Sequence, residues 1–503
     1  MTDTTAAPRL SFGVKTSYGV GAVAQGIGNV ALSAATINFY LVSVVHMRPG
    51  LAGLVMFVSL VIDAVVDPAI GRASDLLRSK WGRRHPFMYL SALPIGLATV
   101  LLWWRPPGLQ GDAMAAYILI TLVVLRLSGG LYTIPSDALT PELAPDYHER
   151  TTLISYRWFF GLVSFAVMGF LLGFVFLRQD KSHPLGQYDP AAYTAFGITA
   201  AIVAVSSILI SAISTHRYIP RLSIPPVRRQ TFGQAMSEIL QILSNRSLLA
   251  VVVSGVISGV AGGISGALTN FMSYFFWGLT PQLAATIGLL AAPAAIIGVV
   301  VAPLLSRLMD KKRTMVTVFT LSIFAGVIPV SLRLLGLAPP NGSPWIPVIL
   351  LADYIVAATL ALIGFVIISS MVADVVEDVA VKTGVRSEGL LFAANGLLPK
   401  VTTGLGSLIA GLMLEAVHFQ VRVGPGGVHF VDPGVMRSLA LLSLPAGAIL
   451  NLASVAVLMF YRIDKGSHEA NLETLRLASM VTEPPMPPGG GPLIEPDAVG
   501  PRV

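Results

Sequence analysis

The sequence predicts an all-α membrane protein: twelve transmembrane helices in two pseudo-symmetric six-helix halves. Three observations carry this. Of 503 residues, 54% are apolar and only 12% are charged, with mean hydropathy +0.75. Soluble proteins carry about 25% charged residues. The composition therefore excludes a soluble enzyme, a nucleic-acid binder and a disordered chain. Second, apolar stretches of about 20 residues, enough to cross a bilayer as a helix, recur between charged or Pro/Gly-rich breaks. Third, a short motif recurs at a fixed offset in both halves.

The expected spans of the first half are 18–45, 50–74, 87–104, 114–140, 153–177 and 192–214. The first is glycine-rich (Gly19, Gly21, Gly26, Gly28), which permits close helix contact. The second carries Asp63 and Asp67, the fourth Arg126 and the fifth Arg157. A basic, proline-containing segment, 216–246, then separates the halves, with a short surface helix expected near Phe232–Leu243. The second half spans 247–276, 282–306, 314–335, 345–370, 390–416 and 437–461. Gly262, Gly263 and Gly266 lie in its first helix, Asp353 in its fourth and Lys400 in its fifth. The domain reading is thus 1–215, 216–246, 247–465 and a Pro/Gly-rich tail, 466–503, expected to be disordered.

The repeat sits at the ends of the second and eighth spans. Pro68, Gly71, Arg72 and Asp75 align with Pro303, Ser306, Arg307 and Asp310 at a constant offset of 235, and Glu142 aligns with Glu377. Such duplication is expected of halves related by an axis along the membrane normal. Of the 33 Lys and Arg residues, 23 fall on the side holding both termini, 7 on the other and three inside helices. By the positive-inside rule both termini are cytoplasmic. The polar first 16 residues predict no cleaved leader. Cysteine is absent and no HExxH pair occurs, so no metal site, cofactor or nucleophile is expected.

The run Asp63-Ala-Val-Val-Asp67-Pro68-Ala-Ile-Gly71-Arg72-Ala-Ser-Asp75, followed by Trp81-Gly82-Arg83-Arg84-His85-Pro86-Phe87, resembles the signature of the glycoside–pentoside–hexuronide:cation symporters of the major facilitator superfamily. Pro135 to Leu143, Asp146 to Arg150, Arg157, Ala373 to Arg386 and Lys400 extend the resemblance over about 17–465. It implies alternating access and symport of a sugar or glycoside with Na⁺ or H⁺, the coupling ion being the sole accessory. Asp63 and Asp67 match the family's cation-site aspartates, Arg157 its substrate-site arginine and Lys400 its helix-eleven lysine. Two positions depart. Gly26 stands where a sugar-binding acid is found in helix one, and Thr133 where one is found in helix four, with Asp137 a turn away.

The residues alone give a compatible picture. Asp63 and Asp67, four apart, share one helix face. A charge at the bilayer centre costs about 2.5–3.5 kcal/mol on insertion scales, so Arg157 and Lys400 are expected to balance the pair. An added cation would compete with these bases, which can couple ion binding to helix movement. The same set also fits a fixed ion-pair lock between halves. Substrate contacts are expected from Gln25, Asn29, Tyr132, Thr133, Asp137, Arg157 and Lys400, and a cytoplasmic latch from Arg72, Asp75, Arg83, Arg84, Arg307 and Asp310. Arg126 and Asp353 are expected to snorkel to the outer interface. Expected partners are a small-molecule substrate and the lipid bilayer, with no nucleic acid, and the chain is expected to be monomeric in a bacterial inner membrane. A lysophospholipid or other amphiphile carrier, which the resemblance also allows, and a non-transporting sensor are the alternatives.

Overall fold

The computed structural model describes residues 10–144, 146–179, 186–221, 246–291, 293–383, 396–423 and 429–461, with only the backbone of 372–383. The surface helix near 232–243, the linker core, the tail, Asn395 and the side chains of the Ala373–Arg386 motif, Glu377 included, lie outside the described residues. Twelve rods follow in chain order. α1 is built of Phe12–Val20, Val23–Ala31 and Ala34–Phe39. α2 is Pro49–Leu76, α3 His85–Trp103, α4 Gly111–Leu143, α5 Tyr147–Leu171 and α6 Pro190–His216. α7 is Arg246–Phe271, α8 the bent pair Pro281–Ala291 and Pro293–Met309, α9 Lys311–Leu334, α10 Trp345–Thr383, α11 Leu398–Ala416 and α12 Pro433–Leu458. Among the described residues, nine rods are long and apolar enough to cross a membrane singly, and α1 and α8 do so as bent pairs. α11 carries Lys400 and Glu415, which lower its hydropathy. A two-residue hairpin, Arg422–Val423 with His429–Phe430, links α11 to α12.

The halves repeat in detail. α1 and α7 end in matching π-turns, Tyr40–Val44 and Met272–Phe276. Each is followed by a left-handed residue, His46 at φ 61° and Gly278 at φ 66°. The returning amides of Met47 and Leu279 donate to Leu41 and Ser273 carbonyls, both at 2.9 Å. α2 and α8 then start on Pro49 and Pro281, proline being favoured at a first helical position. From these starts to Pro68 and Pro303, however, α8 is three residues longer. The excess coincides with its 42° bend between Ala291 and Ile296. The expected continuous span 282–306 is therefore two pieces, since Pro293 lacks the N–H that would continue the first.

Glycines set the tightest crossings. A Cβ on Gly26 would run into Ser164 and the Gly161 carbonyl of α5, and one on Gly406 would meet the α7 backbone at Gly263. The halves meet chiefly along α2 and α11, where Gly53 and Gly404 face Ser407 and Phe57 backbone. At one end of the bundle aromatic rings join the halves: Phe39 lies 5.0 Å from Tyr274 and 5.5 Å from Phe271, and Tyr188 stacks on His429 at 4.1 Å. Burial pushes the Tyr188 phenol up to about 12, so it stays neutral there. The opposite end carries the basic loop between α2 and α3. We call these the aromatic and the basic end.

Candidate transport site between the halves

A cavity of about 1260 Å³ lies between the halves and extends from Ser33 and Ala34 toward Pro141, Arg150 and Ile154 near the basic end. α2 has enough apolar surface to remain continuous through Asp63 and Asp67, and it presents both to this cavity. Lys400, at the start of α11, reaches across from the second half. Its Nζ lies 2.8 Å from Asp63 Oδ2 and 2.5 Å from Asp67 Oδ2. Asp67 Oδ1 is buried without a hydrogen-bond partner. Gly130 of α4 leaves room beside it, since a Cβ there would sit 3.0 Å from that oxygen.

A second cluster lies on the first half alone. Arg157 pairs with Asp137, donates from Nη1 to Ser136 Oγ at 2.6 Å and lies 5.1 Å over the Tyr18 ring. The Tyr18 hydroxyl donates to the Ser136 carbonyl at 2.6 Å, which fixes the ring beneath the guanidinium. Gln25 is within reach of the Asp137 carboxylate. Asn29 and Thr133 also line the cavity. Tyr132 is different: its hydroxyl is directed at the α1 backbone by Gly21 and at Ser211 of α6, and the side chain is almost wholly buried. It packs α1, α4 and α6 together rather than presenting its hydroxyl to open space.

Arg126 corrects an expectation. It does not reach an interface but lines the central cavity, donating from Nε to Ser59 Oγ at 3.3 Å within the electrostatic reach of Asp63. Its Nη2 is buried without a partner. Apart from Arg150 near the basic end, the lining thus holds three carboxylates (Asp63, Asp67, Asp137) and three bases (Arg126, Arg157, Lys400). The centre is balanced with no ion present. Asp353 also stays inside the bundle, in a separate cavity of the second half.

At the basic end Arg84 is the hub. It pairs with Asp75 at 2.7 Å and Glu142 at 3.2 Å and donates to Ser74 Oγ at 2.8 Å, while Arg83 pairs with Glu142 at 2.6 Å. All these groups belong to the first half, so this cluster joins α2, α3 and α4. Arg72 lies exposed a turn before Asp75. In the second half Arg307 is exposed, Asp310 occupies the position before α9, and neither makes an ion pair among the described residues.

The departure at residue 26 has a steric reason. That position is the point where α1 presses on α5, and no acidic side chain fits there.

Two matched six-helix halves lining a cavity that holds ion pairs define a secondary transporter of the major facilitator fold, not an enzyme. The chain belongs to the MFS/sugar transport protein family, whose pattern matches residues 17–465. It is 25% identical to an uncharacterized symporter of Synechocystis, over 93% of this chain and 97% of that one. It is 24% identical to a glucuronide carrier protein homolog of Escherichia coli, over 92% and 96%. Among solved structures, the nucleoside transporter NupG has the same fold, with TM-score 0.59 at 14% identity over 88% of this chain and 98% of that one.

Proposed function

We propose that this symporter-family protein moves a sugar or glycoside together with Na⁺ or H⁺. The observation that carries the reading is Lys400 of the second half, ion-paired to Asp63 and Asp67 of the first. A cation entering at the aspartates competes with the ammonium for the same carboxylate oxygens, since Lys400 and Arg126 already balance the two charges. Displacement frees α11 from α2, the seam along which the halves meet. Loss of the cation restores the pair. Binding of a charge on one half thereby biases the position of the other, as coupling requires.

The substrate groups would be Gln25, Asn29, Thr133, Asp137 and Arg157. They combine donors and acceptors on one wall, and sugar hydroxyls satisfy both kinds. The carrier named for a glucuronide supports the substrate class. The excess of Lys and Arg at the basic end supports placing that end, with both termini, in the cytoplasm of a bacterial plasma membrane. The closed aromatic end then makes this state inward-facing.

A thermal-shift screen of purified protein against sugars and lysolipids, each with and without Na⁺ at acid and alkaline pH, tests the reading. A sugar-induced shift that requires Na⁺ or acid and vanishes in Asp67→Asn is expected. Stabilisation by lysolipids alone would replace the sugar reading.

A further inference from the structure

The second half contains its own cavity, about 310 Å³, lined by α7, α8, α9, α10 and α12 rather than by the seam between halves. Asp353 lines it. The residue lies eight positions into α10, so about 12 Å from the helix start at 1.5 Å per residue, within the span Trp345–Met371. Unlike Asp63, Asp67 and Asp137, it makes no ion pair or hydrogen bond among the described residues. No Lys, Arg or His lines the cavity.

Several polar side chains facing this space direct a proton to helix backbone. Ser322 Oγ donates to the Val318 carbonyl at 2.9 Å, Thr269 Oγ1 to Ser265 at 2.8 Å and Asn451 Nδ2 to Gly447 at 2.9 Å. Ser265, Ser273, Ser443 and Tyr354 add hydroxyl groups to the lining. A carboxylate inside a membrane span and without a counter-base is costly unless something positive joins it. The position equivalent by the 235 offset in the first half is Ile118, which is 1% exposed and packed in apolar core. The fold itself therefore does not need an acid there.

We propose that Asp353 and this cavity form a second cation site, independent of the Asp63–Asp67–Lys400 site. Its occupant is a proton on the carboxyl or a Na⁺ shared by Asp353 and the Asn451 amide oxygen. The remaining titratable neighbours do not supply a charge. Tyr354 follows on α10, and Tyr274 ends α7. Arg333 of α9 is engaged by Asn341 at 2.5 Å and lies over Phe276 and Trp277. α8 and α12 bring no titratable group to the lining.

Thermal unfolding of the purified full chain separates the two sites. Na⁺ is titrated at alkaline pH against choline at equal ionic strength, and pH is varied without Na⁺. Asp67→Asn is expected to retain a cation-dependent rise in Tm, and Asp67→Asn/Asp353→Asn to lose it. A Na⁺ response abolished by Asn451→Val identifies Na⁺; a response to acid alone, unchanged by Asn451→Val, identifies the proton. Should Asp67→Asn not fold, wild type and Asp353→Asn are compared, and the latter is expected to show the smaller response. Identical responses with and without Asp353 in either background overturn the proposal.

Discussion

The two halves share a plan but spend it differently. In α2, α3, α4 and α6 of the first half, 44–50% of the most apolar window is buried; in α9, α10 and α12 it is 11–22%. The exceptions are the span of α5, at 22%, and that of α7, at 44%. The first half closes its basic-end motif into an ion-pair hub around Arg84, whereas the aligned Arg307 and Asp310 make no ion pair among the described residues. α2 is one continuous helix, and α8 takes up three extra residues as a bend. Among the described residues, the first half also supplies all but two of those lining the central cavity, Lys400 and Thr403 being the others. The difference suggests a division of labour: a packed half that holds the site, and a looser half that answers to it through one lysine.

The largest test of that division is Lys400→Met. Removing one partner of a buried pair costs about 3–5 kcal/mol, because the other charges are left uncompensated. A marked fall in thermal stability is expected, partly recovered in Lys400→Met/Asp67→Asn, where the charge balance is restored. An unrecovered double variant would mean that the two side chains act separately.

Next comes the close packing of the first half. Gly26→Leu forces a side chain between α1 and α5, and overpacking costs about 1–3 kcal/mol. A lowered Tm with intact cation response is expected, measured in the same titration. Then the looseness of the second half can be sharpened. Asp353→Leu supplies the apolar residue that the first half has at Ile118, and it should raise the Tm, the gain being about 1 kcal/mol where a buried unpaired group is removed. The mirror change, Ile118→Asp, should destabilise. The smallest effect is expected at the aromatic end. Tyr188→Ala removes a ring stacked between halves, worth about 0.5–1.5 kcal/mol. It should raise the accessibility of Asn38 to a thiol reagent after Asn38→Cys, without changing cation affinity.

Much of this is legible in sequence because charge in an apolar run is rare. Asp63, Asp67, Arg157 and Lys400 stand out for that reason, and all four line the cavity. Their partners are harder, since span limits do not give the direction of a side chain. Helical spacing carries part of that information. Arg126, Gly130, Thr133 and Asp137 recur at intervals of four, three and four, so they share the cavity face of α4. The same counting puts Tyr132 beside Ser128 and Ser136, whose side chains are buried in the first half. Arg126 lies near the middle of the expected span 114–140 and of the helix Gly111–Leu143 alike, so an interfacial position conflicts with either. The bend of α8 depends on packing that a single sequence does not reveal.

The central claim is that the Lys400 pair transmits cation binding and is not a fixed lock. The direct measurement is sugar uptake into proteoliposomes by wild type and Lys400→Met, with and without an imposed Na⁺ or H⁺ gradient, alongside sugar exchange at zero gradient. Lys400→Met is expected to lose gradient-driven accumulation while retaining exchange. Accumulation driven by the gradient as in wild type, with only stability reduced, would contradict it and leave the pair a structural lock.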